Sequence, residues 1–156
     1  WESCSLRKWM NGTFLNKAFN AEEQAQIQNT TVSADKNPEY NTNPGNATTD
    51  KVFLLSINEV EKYFNSDEAR KCAPTAYAKA QGAYTSDIYK TASGAATCWW
   101  WLRSPGNNQN NAANVNNDGS VNYNGNNVNN DNDAVRPALL PFWPVDNRKY
   151  GIPCRE

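Results

Sequence analysis

Asparagine fills 14 of the 27 positions from Asn107 to Asp133. The stretch has no Lys or Arg, and its only large apolar residues are Tyr123, Val115, Val121 and Val128. Such a segment cannot form an ordinary core. A buried asparagine must satisfy both amide ends or lose stability. The asparagines are therefore expected to face water, a partner or one another, and the core has to come from the rest of the chain.

That remainder is sufficient. The 156 residues suit one domain, which can bury roughly 70% of its unfolded surface without a metal or an oligomer. A formal net charge of -1 offers no basic face for nucleic acid. No apolar run reaches the length of about 18 residues that spans a membrane. The chain has no histidine, so the most versatile general base and the commonest metal ligand are both missing. These features point away from an enzyme and call for no cofactor and no metal. The chain opens at Trp1 without a methionine, which suggests a processed product or a fragment.

Four cysteines, Cys4, Cys72, Cys98 and Cys154, lack CxxC spacing, so a zinc ribbon is not expected. Of three possible pairings, Cys72 with Cys98 and Cys4 with Cys154 is favoured; the second bond would tie the chain ends together. The competing reading is four buried thiols. An even count at wide spacing fits an oxidising compartment. Asn11-Gly12-Thr13, Asn29-Thr30-Thr31 and Asn46-Ala47-Thr48 match the glycosylation pattern, which arises by chance in so asparagine-rich a chain.

Apolar spacing from Ser5 to Phe19 predicts two short helices broken by a cap at Asn11-Gly12. Asn20 with Glu23, and Ser56 with Glu59, have capping-box form. They open helices through Ile27 and over Ile57 to Phe64, the latter turning Ile57, Val60, Tyr63 and Phe64 inward. Thr30 to Val32 reads as a brief strand, Asp35 to Asp50 as a surface loop, and Lys51 to Leu55 as a buried strand. Pro74 suits the first turn of a helix to about Ala80, with Gly82 as its stop. Ala83 to Thr97 is loop, and Trp99 to Leu102 is an aromatic strand. Ser104-Pro105-Gly106 reads as a turn. Within the tract, Asp118-Gly119 and Asn124-Gly125 are hairpin signals between recurring valines. Asn114 to Asn129 is therefore read as short strands with valines inward and asparagines outward. Val135 to Leu140 is the last strand, and the fold class is α+β.

The tract admits three uses. Regular valines and turn signals argue against disorder. A bare solvated ladder leaves the enrichment unexplained, since asparagine is a poor strand former. A recognition surface explains it better: short side chains with donors and acceptors give adaptable hydrogen bonding, and Tyr123 adds amphipathic contact area. The enrichment makes most sense if these positions vary between copies of a fixed scaffold.

Trp99-Trp100-Trp101-Leu102-Arg103-Ser104-Pro105-Gly106, the tract, and Val135-Arg136-Pro137-Ala138-Leu139 together resemble a bacterial domain family with the C-type lectin fold. Its members include the variable proteins of diversity-generating retroelements. Trp1 to Phe19, Lys51 to Ser56 and Pro74 to Lys79 are similar to the same family, so the resemblance covers most of the chain in patches. It implies one C-type lectin-like domain over residues 1–156 with a variable segment at 107–133. Family members of this kind are diversified at adenines, and asparagine codons begin with two adenines. The resemblance thus marks Asn107, Asn108, Asn110, Asn111, Asn114, Asn116, Asn117, Asn122, Asn124, Asn126, Asn127, Asn129, Asn130 and Asn132, with Tyr123, as ligand-facing positions. It also implies a bacterial or phage origin and an extracellular, cell-surface or phage-particle location. The partner would be a protein or surface ligand of unknown identity. One departure stands out: lectin-like domains usually pair a first strand with the last, whereas this chain opens on a helix, as if an N-terminal strand or upstream segment were missing.

Other residues offer alternatives. One face of Trp99-Trp100-Trp101 is expected in the core, the other free to stack on a sugar or partner. Arg103 and Arg136 could bind an anion or brace the loop. Asp118, Asp131 and Asp133 could hold calcium in a carbohydrate-binding lectin, but the spacing matches no EF-hand and the Glu-Pro-Asn and Trp-Asn-Asp signatures are absent. Formylglycine-generating enzymes use a lectin-like fold and cysteine, which makes Cys72 and Cys98 the residues of a cysteine-based alternative; no group that would activate Cys98 is evident in the sequence.

Overall fold

The computed structural model describes residues 1–129 and 134–139. Helix α1 (Ser5–Trp9) runs through a π-helical turn (Met10–Phe14) into α2 (Leu15–Ala18). The sequence predicts a cap at Asn11-Gly12, but the helix widens there instead of ending, and Gly12 does not take a positive φ. The cause is a tertiary contact. The Asn11 side chain accepts the Lys51 and Val52 amides at 2.8 and 3.0 Å and donates to the Val52 carbonyl at 2.7 Å. The same Nδ2 also donates back to the Arg7 carbonyl at 3.1 Å, so the side chain ties the helix to the neighbouring segment and does not end it.

Helix α3 (Ala21–Gln26) opens on the predicted Asn20–Glu23 box, both bonds at 2.9 Å. Strand β1 (Thr30–Val32) pairs antiparallel with β2 (Thr48–Asp50), so the expected surface loop ends in a strand. Lys51 to Leu55, expected as a strand, forms no ladder. Val52, Phe53 and Leu54 are buried, and the segment makes one isolated bridge, Phe53 to Ala138. Several of its other backbone groups bond outside any ladder: Asn11 takes Val52, and Arg103 takes the Leu54 carbonyl through Nη1 and the Leu55 carbonyl through its amide, both at 2.9 Å. An apolar run signals burial but not which groups will satisfy its backbone.

Helix α4 (Ile57–Tyr63) starts at the predicted Ser56–Glu59 box. Ile57 and Val60 are fully buried, while Tyr63, expected inward, is 54% exposed. A single turn, α5 (Asp67–Arg70), follows and was not anticipated. Helix α6 (Ala76–Ala80) is capped by Thr75, which leaves Pro74 before the helix; Gly82, at φ +94°, ends it.

Strands β3 (Trp100–Pro105), β4 (Asn111–Val115) and β5 (Val121–Asn127) form an antiparallel meander. Ser104 and Pro105, expected in a turn, belong to β3. Core packs on both faces of this sheet. Trp100, Leu102, Ala113 and Val115 meet α4 on one side; Trp101 meets Met10, Leu15, Val52 and Leu54 on the other. Adjacent strand residues point to opposite faces, so the tryptophan run serves two cores. Trp99 stacks on Tyr84 at 4.9 Å. Val135 to Leu140, expected as the last strand, forms no ladder over its described residues: Ala138 makes an isolated bridge to Phe53, the preceding Ala134 makes one to Trp100, and Leu140 lies outside the described residues. The result is a mixed α+β fold of short helices and two small antiparallel sheets. No helix among the described residues is long and apolar enough to cross a membrane.

Candidate recognition site

Asp50 fastens the start of the chain to the body of the fold. Its buried carboxylate accepts from Trp1 Nε1 at 3.1 Å, Arg7 Nε at 2.8 Å and Thr48 Oγ1 at 2.6 Å. Burial alone would raise the Asp50 pKa; these donors outweigh it and hold the carboxyl below its usual range. Trp1, Cys4 and Leu6, so positioned, form one wall of a cleft of about 390 Å³. Leu54, Trp101 and Arg103 also line the cleft, and Gln109, Asn111, Val128 and Asn129 edge it from the tract.

One end of the β4–β5 hairpin gathers much of the tract beside this cleft. Asn111 pairs with Asn127, the Val128 amide donates to the Asn110 carbonyl at 2.9 Å, and the Asn107 amide donates to the Asn124 carbonyl at 2.9 Å. Asn107, Asn108, Asn110, Asn124, Asn127 and Asn129 are exposed there, and Asn111 and Asn126 are half-buried. Several of these amides are already engaged. Asn107 Oδ1 accepts from Asn108 and Asn111 at 2.7 and 3.0 Å. Asn108 Oδ1 caps the Asn110 amide at 2.8 Å, and Asn127 Oδ1 caps that of Asn129 at 3.0 Å. These are local turn contacts of the kind asparagine makes readily. The side-chain amides of Asn110, Asn126 and Asn129 take part in none of these bonds.

The rest of the tract does not join this surface. Asn116 and Asn117 sit at the opposite end of the hairpin, where the Asp118-Gly119 turn forms as predicted. Asn116 Nδ2 donates to Ser120 Oγ at 3.1 Å, and Thr97 Oγ1 donates to the Asn117 carbonyl at 2.7 Å. Gly119 is needed there: its φ is +92°, and a β-carbon would fall 1.9 Å from the Asp67 carbonyl oxygen. The other hairpin signal, Asn124-Gly125, makes no turn. Gly125 lies inside β5 at φ +71° and in close approach to the Ala112 carbonyl, where the register with β4 shifts. Asn122 is half-buried and caps the Gly125 amide at 3.1 Å.

Three expectations about orientation need correction. Asn114 is not outward: it is 0% exposed, on the sheet face shared with Ala112 and Trp101, and neither end of its amide finds a partner among the described residues. Val128 is not inward but 56% exposed, because β5 ends at Asn127 and releases it. Tyr123 is half-buried against the α4-side core, and its hydroxyl donates to Glu61; that bond, with burial, pushes its pKa up to about 12. Asn130 and Asn132 lie outside the described residues.

The sequence reading missed the strap that supports the tract from outside it. Buried Asn37 donates to the Pro105 carbonyl at 2.9 Å and the Tyr123 carbonyl at 2.8 Å. Tyr40 donates to Asn124 Oδ1, and Gln109 Nε2 donates to the Asn43 carbonyl at 3.1 Å. The stretch from Asn37 to Tyr40 therefore lies along β5, and Asn43 reaches the turn between β3 and β4. These asparagines and Tyr40 were the available signal, read only as loop composition.

Of the other candidates, Arg103 braces rather than binds: its buried guanidinium is shared among Glu59, Asp35, and the Leu54 and Ser33 carbonyls. Arg136 lies over the rings of Trp100 and Phe64, at 4.7 and 5.0 Å. Asp118 is spent on Ser120, accepting from its amide at 2.9 Å and its hydroxyl at 2.7 Å. Burial works against its ionisation, but these bonds prevail and hold its pKa below the usual value. Asp131 and Asp133 lie outside the described residues. Cys72 and Cys98, read as a disulfide, stand side by side as thiols, with Cys98 Sγ donating to the Cys72 carbonyl at 3.3 Å. Cys4 is half-buried; Cys154 lies outside the described residues.

Neither curated proteins nor solved structures give a match to this chain. A family model described as a domain of unknown function, DUF6273, matches residues 1–140, which take in every described residue, and the chain belongs to that family.

Proposed function

We propose that this chain is a ligand-binding display domain of the C-type lectin-like fold, in which the amide-rich end of the β4–β5 hairpin is a diversifiable recognition surface beside the Trp1–Trp101 cleft. One observation carries the reading: the exposed amides at this end lie outside both core clusters. The cores are built by Trp100, Trp101, Leu54, Ile57 and their neighbours. Placing tolerant positions on turns and an edge strand lets them change while the packed residues stay fixed. The cleft adds a concave apolar floor edged by amides, the usual composition of a ligand site. Asn114 takes no part, since a residue sealed in the sheet can contact no ligand.

The reading is tested by selection. A library randomised at Asn107, Asn108, Asn110, Asn127 and Asn129, displayed and panned against several unrelated proteins, is expected to yield target-specific binders that share an unchanged scaffold. Recovery of folded members with no binders to any target would refute it.

A further inference from the structure

Cys72 and Cys98 are 26 positions apart in the chain and directly hydrogen-bonded in the fold. The Cys98 amide donates to the Cys72 carbonyl at 2.9 Å, and its thiol donates to the same oxygen at 3.3 Å. Backbones in direct hydrogen bond stand at a separation that a disulfide can bridge. The two thiols differ in access: Cys98 is 1% exposed, Cys72 half-buried. Arg136 lies nearby on the rings of Trp100 and Phe64, and its buried Nη1 has no hydrogen-bond partner among the described residues. A buried cationic nitrogen of this kind calls for an anion. From this geometry we propose that Cys72 and Cys98 are a thiol–disulfide exchange site, with Cys72 as the attacking sulfur, Cys98 as the resolving one, and a low-molecular-weight disulfide as the oxidant.

The environment of Cys72 supports that assignment. The Cys98 hydrogen bond, with the field of Arg136, outweighs burial and pulls the Cys72 thiol down from 9.0 to about 6. A thiol in this range is substantially ionised at neutral pH, and only the thiolate attacks. In the first step the Cys72 thiolate bonds to one sulfur of the small disulfide, whose S–S bond breaks and expels a thiolate. In the second, Cys98 loses its proton and attacks the Cys72 sulfur; the mixed disulfide breaks and the second small thiolate leaves. Two small thiols are formed for one Cys72–Cys98 bond, and the two protein protons end on them. The bond would close the segment from residue 73 to residue 97, which carries the exposed Tyr77 and Ile88.

The test uses the full chain, reduced and then incubated with oxidised glutathione. It is quenched with acid, alkylated under denaturing conditions and mapped by peptide mass, which scores Cys4 and Cys154 separately. The expected result is joint loss of the Cys72 and Cys98 thiols into one bond, reversed by reduced glutathione without unfolding. Cys98→Ser should hold one glutathione on Cys72, and Cys72→Ser should leave Cys98 unmodified. Three results would overturn the proposal: a glutathione adduct that persists on Cys72 in the wild-type chain, a Cys72–Cys98 bond that native-state reductant cannot open, or no reaction. The wild-type map decides the matter even where a variant fails to fold.

Discussion

Arg103 and Glu59 meet through two contacts: Nη2 donates to Oε1 at 3.0 Å, and Nη1 to Oε2. The Arg103 side chain is 2% exposed, so its charge depends on this partner and on Asp35, 3.4 Å away. Glu59 also caps the Ser56 amide at 2.9 Å. One ion pair thus joins β3, the start of α4 and the ladderless Lys51–Leu55 segment. Breaking a buried pair strands a charge and costs more than forming it contributes. Glu59→Ala is expected to destabilise the chain by about 3–5 kcal/mol in urea unfolding. A loss under about 1 kcal/mol, typical of an exposed pair, would mean that Asp35 alone neutralises the arginine.

Asn114 leads to the opposite expectation. Both ends of its buried amide lack partners among the described residues, so the group contributes desolvation cost without compensating bonds. Leucine has nearly the same branched shape and no polar atom. Asn114→Leu should therefore raise stability by roughly 1–2 kcal/mol, and Asn114→Asp should lower it, because a carboxylate there would be buried unpaired. Thermal melts of the two variants check this; a destabilised leucine variant would show that the amide holds a partner in solution.

Cys72 should betray its ionisation in its chemistry. Alkylation of the native chain by iodoacetamide, followed at the Cys72 peptide, is expected to rise with pH around a midpoint of about 6. Arg136→Met should move that midpoint upward. The same group links to stability. Its native value lies below the ordinary 9.0, so between these values the unfolded chain binds more protons and stability rises with pH. The contribution is complete above about 9 and is lost as pH falls through about 6. A midpoint near the ordinary thiol value would remove both effects.

What the sequence revealed and what it hid follow one physical division. Asn20–Glu23 and Ser56–Glu59 are legible because a capping box is completed within four residues. The Asp118-Gly119 turn is legible because that turn requires a residue able to adopt positive φ. Asn124-Gly125 carries the same signal yet forms a bulge, since pairing with β4 across Ala112 governs it. Asn11 looked like a cap and instead serves Lys51 and Val52, some forty residues away. The Lys51–Leu55 run announced burial but not that Asn11 and Arg103 would satisfy its backbone. The tract divides the same way: composition marked the amides, but only the pairing of β4 with Trp101 and Asn122 reveals that Asn114 turns inward. Asn37 and Tyr40 were hidden because nothing local in a loop says what it will lie against.

The proposed display function rests on amides that the fold can do without. The most direct measurement is the thermal midpoint of the chain carrying Asn107→Ser, Asn108→Ser, Asn110→Ser, Asn127→Ser and Asn129→Ser together. All five are exposed, and exposed substitutions usually fall within about 0.5 kcal/mol each. A dispensable set of amides gives a cooperative melt within about 10 °C of the parent chain, since five such changes total at most about 2.5 kcal/mol and 1 kcal/mol shifts a domain of this size by roughly 2–4 °C. A chain that melts far lower, or loses its cooperative transition, would mean that the amides hold the hairpin together, and would contradict the account.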